Sequence, residues 1–160
     1  MACPPSTADF LQQTLDLAVD NVQSGQGGPF AALVVHDGEV VATGTNRVTT
    51  ENDPTAHAEI TAIRAACAER GDFELTDCTL YSSCEPCPMC LGAIYWTRLD
   101  RVVYAATSAQ AADAGFDDAH IYEEIDKPPP ARRIPMERCN EVDADRPFEA
   151  WFDYEEREEY

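Results

Sequence analysis

Chemistry in this chain of 160 residues is concentrated in two short runs. Pro54-Thr55-Ala56-His57-Ala58-Glu59 holds an imidazole and a carboxylate; Pro86-Cys87-Pro88-Met89-Cys90 holds two thiols. His57, Cys87 and Cys90 form a donor set for Zn²⁺, and three protein ligands leave the fourth tetrahedral position open to water, which distinguishes a catalytic site from a closed structural one. A metal so placed lowers the pKa of its water from about 15.7 towards about 7, so the expected chemistry is hydrolytic attack near neutral pH. Glu59 is left over as a base that binds no metal.

The spacing supports this assignment. Cys87 and Cys90 are three residues apart, so at a helix start they lie on one face. Pro88 suits a first helical turn, where its missing N–H would have no partner, and the positive end of the helix favours thiolates. Glu59 falls in the first turn of a helix expected over Ala58 to Arg70, where Ile60, Ile63 and Cys67 recur at helical spacing and Gly71 offers a stop. There its carboxylate can overhang the open metal position, take a proton from the attacking water, pass it to a ring nitrogen of the substrate and then protonate a departing amine. Each half alone is weak: His-x-Glu pairs arise by chance, and Pro-Cys-x-x-Cys also suits a structural zinc knuckle, a redox pair or buried thiols. In this order the two halves make the signature of hydrolytic zinc deaminases. Cys84 continues the even spacing of Cys87 and Cys90 and is an alternative ligand. Because it ends the apolar run Thr79 to Ser83, it reads as a packed neighbour.

Composition narrows the partners. The chain is long enough to bury a core without disulfides, and no stretch is apolar enough for a membrane span. Its first residues, Met1-Ala2-Cys3-Pro4-Pro5, lack a basic region followed by an apolar run, so no secretory signal is expected. Seven cysteines make an odd set, and scattered Cys3, Cys67, Cys78 and Cys139 fit free thiols in a reducing cytoplasm. With a formal net charge of −19 and Lys127 as the only lysine, a duplex or tRNA partner is disfavoured, because phosphate binding needs a basic face. The acid surplus fits either a salt-rich cytoplasm or compositional bias with arginine replacing lysine, and a melting series in KCl separates the two.

The elements that must position the site alternate. Phe10 to Ser24 reads as a helix with Leu11, Leu15, Ala18 and Val22 on one stripe, ended by Gly25-Gln26-Gly27-Gly28-Pro29. Phe30 to Val35 and Glu39 to Thr43 read as strands joined by Asp37-Gly38, a strong hairpin signal. Strands are expected at Thr79 to Ser83 and Arg101 to Ala105, with a helix from Cys87 to about Arg98 between them. The result is an α/β domain with a mixed sheet covered by helices and zinc held between two helix starts. Pro128-Pro129-Pro130 forms a semi-rigid spacer, and Pro147 opens a last helix with Phe148, Trp151 and Phe152 on its apolar face. From residues alone, that helix packs on its own core.

Gly27-Gly28-Pro29-Phe30, Asn52 to Glu59, Ser83 to Trp96 and Ala114-Gly115-Phe116-Asp117-Asp118 together resemble the bacterial guanine deaminases of the cytidine-deaminase fold, over Phe10 to Tyr160. The resemblance implies a three-layer α/β/α domain spanning 1–160, one Zn²⁺ per subunit, a purine base as substrate and a homodimer. It also implies that the segment 147–160 is swapped to close the partner subunit's site. It further implies that Asn46 hydrogen-bonds the base, Phe30 and Trp96 wall the pocket, and the backbone at Ala56 contacts the ring. By the same resemblance, Asp117 and Asp118 lie near the guanine edge, with Asp118 assisting proton transfer to the leaving amine, and Tyr160 belongs to the lid. Which aspartate points inward is open, since adjacent side chains face different ways. Without the resemblance, Asn46 and Asp117 read as turn residues, Phe30 and Trp96 as core, and Tyr160 as a frayed end. His36 and His120 read as surface or packing residues.

A carboxylate at the base edge suits guanine, which offers N–H donors at N1 and N2, better than adenine, whose bare N1 is an acceptor. Guanosine and other aminated heterocycles, such as amino-triazines or isocytosine, stay open as substrates of the same fold, and two further rivals stand beside this reading: a tRNA adenosine deaminase, opposed by the acidic balance, and a non-catalytic zinc-stabilised module, opposed by Glu59.

Overall fold

The computed structural model describes residues 6–160; Cys3 and the rest of the first five residues lie outside them. The described residues fall into two compact units divided after Asp118.

The first unit is built on a four-stranded sheet in the order β2-β1-β3-β4. Strands β1 (Ala31–His36) and β2 (Glu39–Thr45) form the expected hairpin, and Asp37 and Gly38 both take positive φ, as a two-residue turn of primed type requires. Strand β3 (Cys78–Cys84) pairs antiparallel with β1, and β4 (Arg101–Ala106) runs parallel to β3. The sheet is therefore mixed. Helix α1 (Thr7–Gln23) packs on one face, and α3 (Ala58–Arg70) packs on the other. Alternation along the strands sorts the core. Ala32, Val34, Cys78 and Leu80 meet Ala62, Ile63, Ala66 and Ile94 on the α3 side, while Leu33, Val35 and Tyr81 meet Phe10 on the α1 side. Short α2 (Val48–Glu51), helix α4 (Pro88–Trp96) between β3 and β4, and α5 (Ser108–Asp113) complete the unit.

Helix α1 corrects two expectations. It starts at Thr7 because Ser6 and Asp9 form a reciprocal capping box, with the Ser6 hydroxyl accepting from the Asp9 N–H and the Asp9 carboxylate accepting from the Ser6 N–H. Its buried stripe is Phe10, Thr14, Ala18 and Asn21, whereas Leu15 and Val22 are exposed. Apolarity alone misplaces this face because two of its inward residues are polar and internally satisfied. The Thr14 hydroxyl donates to the Phe10 carbonyl, and the Asn21 amide donates to two loop carbonyls.

The helix that carries the chemistry sits close on the sheet. A Cβ at Gly44 of β2 would come within 2.3 Å of both the Ala58 carbonyl oxygen and the Ala62 nitrogen. These are backbone atoms with nowhere to go. Gly44→Ala is expected to cost at least about 1–3 kcal/mol by overpacking, and to loosen zinc retention because α3 follows His57 and carries Glu59. Urea unfolding and zinc content of the purified variant check both effects.

The second unit, residues 119–160, holds α6 (Ala119–Ile125), a 3-10 turn at Pro129–Ala131 and α7 (Arg146–Asp153). Pro147 lies in the first turn of α7, as expected, and Phe148 and Phe152 of that helix are exposed. No helix among the described residues is long and apolar enough to cross a membrane.

Candidate active site

His57 is the N-cap residue of α3 and Cys87 the N-cap residue of α4; both have extended backbone, and neither side chain caps its own helix. Each is turned to the other instead. Cys90 follows in the first turn of α4, after Pro88. His57 Nδ1 lies 3.5 Å from Cys87 Sγ and 3.6 Å from Cys90 Sγ, and the three donor atoms all lie within 4.8 Å of one another. A tetrahedral zinc with Zn–S of about 2.3 Å and Zn–N of about 2.0–2.1 Å has N···S edges of about 3.5 Å, so the donor types and their spacing both fit Zn²⁺. Cys84 faces elsewhere: its thiol is buried and donates to the Thr107 carbonyl at 3.7 Å, and burial pushes its pKa up. It packs beside the site, as the apolar run before it implied.

The thiols differ. A hydrogen bond from Cys90, supported by His57, holds Cys87 down at about 4, while the same bond and burial push Cys90 up. The hydrogen bond to Cys87 raises His57 despite its burial. A thiol must give up its proton to bind a divalent cation, so metal binding here is coupled to proton release.

Glu59, 6 % exposed, lies in the first turn of α3. Burial raises its pKa, and its carboxylate accepts from the Ser82 hydroxyl at 3.3 Å and the Cys90 thiol at 3.5 Å. This is a carboxylate against the metal triad without belonging to it. The reading of the sequence passed over Ser82, although a hydroxyl at an inward-facing strand position, paired with Ala32, is a legible sign.

The residues expected around the base are joined through the backbone. The Asn46 N–H donates to the Phe30 carbonyl at 3.0 Å, and the next N–H, of Arg47, donates to the Ala56 carbonyl at 2.9 Å. Phe30 meets Phe116 edge to face, with ring centroids 4.9 Å apart, so the Gly-Phe-Asp-Asp stretch is anchored on that wall. Asp118 is half-buried and Asp117 exposed. The Asp118 pKa is raised by burial and then by the charges of Cys87, Asp117 and Glu85. Trp96 ends α4 and is 65 % exposed; Tyr160 belongs to the second unit and is 71 % exposed.

Residues 5–106 match the cytidine and deoxycytidylate deaminase zinc-binding region, which includes all three metal donors and Glu59. Guanine deaminase from Bacillus subtilis (strain 168) is 54% identical over 151 residues, 94% of this chain and 97% of the relative.

The chain belongs to the guanine deaminase family.

An X-ray structure of the Bacillus subtilis guanine deaminase superposes with a TM-score of 0.96 at 52% identity, covering 98% of this chain and 99% of that one. A variant structure bound to 8-azaguanine matches with a TM-score of 0.69 at 36% identity, over 72% of this chain and 67% of its own. The architecture is that of the cytidine-deaminase fold, a mixed sheet with helices on both faces, and the guanine deaminase family site is a zinc site.

Proposed function

We propose that this protein hydrolyses guanine to xanthine and ammonia with one Zn²⁺ per chain. The observation that carries the reading is the near end-to-end likeness to guanine deaminase. The zinc-binding region ends at residue 106, so it identifies the chemistry alone; the likeness continues through the Gly-Phe-Asp-Asp stretch and the C-terminal unit.

His57, Cys87 and Cys90 would hold the ion, which supplies a Lewis acid that makes water acidic enough to attack C2 of the base near neutral pH. Glu59 would take one proton from the attacking water and pass it to a ring nitrogen, then take the second from the hydroxyl added at C2 and pass it to the departing amine, so that both protons of water are placed. Its burial suits the first half of the task, since a raised pKa makes the carboxylate a stronger base towards water. Asn46 and the Ala56 backbone orient the base between Phe30 and Trp96. Asp118, the half-buried member of its pair, accepts from the guanine N–H edge and assists the amine, and Asp117 lies beside it.

Ammonia release from guanine, guanosine, adenine, cytosine, isocytosine and ammeline, with Glu59→Gln as blank, tests the reading. Turnover of guanine is expected; its absence from zinc-replete protein sinks the proposal. Asp118→Ala is expected to lower kcat for guanine by about 10²-fold or more, checked by steady-state kinetics against guanine.

The active species is a cytoplasmic homodimer in which residues 147–160, Tyr160 included, close the partner's site, with no nucleic acid or membrane partner. The exposed Phe148 and Phe152 of α7 support this, since an apolar helix face open to water seeks cover. Removing residues 147–160 is expected to leave zinc bound and to lower turnover by about 10²-fold through loss of closure. A monomer by light scattering at micromolar concentration overturns the dimer.

A further inference from the structure

Asn21 is a buried amide that the reaction as described does not use. It stands near the end of α1, and its Nδ2 donates to the Gly28 carbonyl at 2.9 Å and to the Asn46 carbonyl at 3.0 Å. Both partners are acceptors, so the nitrogen must face them. The Gly28 carbonyl also accepts from the Phe30 N–H at 2.8 Å. One side chain therefore ties together the backbone of the aromatic wall and that of the base-reading asparagine. The packing there is close: a Cβ on Gly27 would come within 1.9 Å of the Asn46 carbonyl oxygen and 3.1 Å of the Asn21 amide nitrogen.

The consequence falls on the Asn46 side chain. Its Oδ1 accepts from the N–H of Gly28 at 3.3 Å and from that of Val48 at 3.4 Å. Only an oxygen can accept from two N–H donors, so the carboxamide is set with its oxygen turned to the loop, leaving Nδ2 as the end available to a ligand. The Gly28 N–H holds that orientation only while Gly28 keeps its distance from residue 46, and Asn21 spans the two.

We infer that Asn21 is a positioning residue for the substrate: by bridging Gly28 and Asn46 it fixes the Asn46 carboxamide as a hydrogen-bond donor, so that the pocket reads an acceptor on the base. This rests on the reading that Asn46 binds the base. Asn21 touches no substrate and acts through Asn46 and the Phe30 turn.

The test is a double-mutant cycle on the zinc-loaded enzyme with guanine, using Asn21→Ala, Asn46→Ala and the pair, with melting temperature and zinc content measured for each. Asn21→Ala is expected to raise KM by about tenfold while kcat changes less than about threefold, and to add less than about twofold in KM on top of Asn46→Ala. Asn21→Gln, which keeps the amide donors on a stem one methylene longer, is expected to fall between wild type and Asn21→Ala in KM. It also supplies the comparison should Asn21→Ala fail to fold. If Asn46→Ala raises KM but the Asn21 substitutions multiply it equally in both backgrounds, or lower the melting temperature with KM unchanged, Asn21 is merely structural and the inference is overturned. An unchanged KM in Asn46→Ala overturns the binding role of Asn46 and this inference with it.

Discussion

Glu59→Gln is expected to lower kcat for guanine by about 10²–10⁴-fold while the protein keeps its fold and its zinc. The amide has the shape of the carboxylate and can still meet the Ser82 hydroxyl, which lies 3.3 Å from Glu59 Oε1, so packing changes little. It cannot take a proton from water or return one to the ring. Because Glu59 stands outside the triad of His57, Cys87 and Cys90, metal affinity does not depend on it directly. Zinc content by atomic absorption and single-turnover ammonia release measured on one preparation separate the two properties. Loss of both would mean that Glu59 supports the metal site, and retention of both would remove it from the chemistry. The same variant discriminates an enzyme from a zinc-stabilised module, which has no use for a free carboxylate beside its metal.

Zinc removal is expected to have an effect as large. Dialysis against a chelator should reduce ammonia release to the blank and lower the melting temperature, and one equivalent of zinc should restore both. A ligand present at about 1,000 times its Kd stabilises a fold by about 4 kcal/mol, a large share of the stability of a domain of this size. The direction with pH follows from the thiols. Cys87 is held low by its hydrogen bond from Cys90, whereas Cys90 is pushed up by that bond and by burial. Zinc uptake should therefore release a proton, and zinc affinity should fall as pH is lowered. A competition titration with a chromophoric chelator at several pH values checks this. Affinity independent of pH would show that both thiols are already ionised in the metal-free protein.

The metal donors and Glu59 were legible in the chain because their evidence is local. Imidazole, thiolate and carboxylate are defined by residue type, Pro88 marks a helix start, and three-residue spacing puts Cys87 and Cys90 on one face. Helix α3 was legible to its ends, from Ala58 to Arg70 with Gly71 as the left-handed stop, because apolar spacing and the glycine agree. The Asp37-Gly38 hairpin was legible for the same reason.

Helix α1 shows where local evidence ends. A face chosen by apolarity selects Leu15 and Val22, yet the protein buries Thr14 and Asn21, because the partners that make an inward amide tolerable, the Gly28 and Asn46 carbonyls, are remote in sequence. Neither the strand order β2-β1-β3-β4 nor the contact of Phe116 with Phe30 is encoded in any window of neighbouring residues. By itself the sequence determined which side chains gather as a candidate metal triad with a carboxylate beside it, His57, Cys87, Cys90 and Glu59, since those are properties of side-chain types at short spacing. Only the tertiary structure decided how the carboxamide of Asn46 is turned and that Asp118, rather than Asp117, is the half-buried aspartate, because both depend on hydrogen bonds and packing that exist only once distant segments meet.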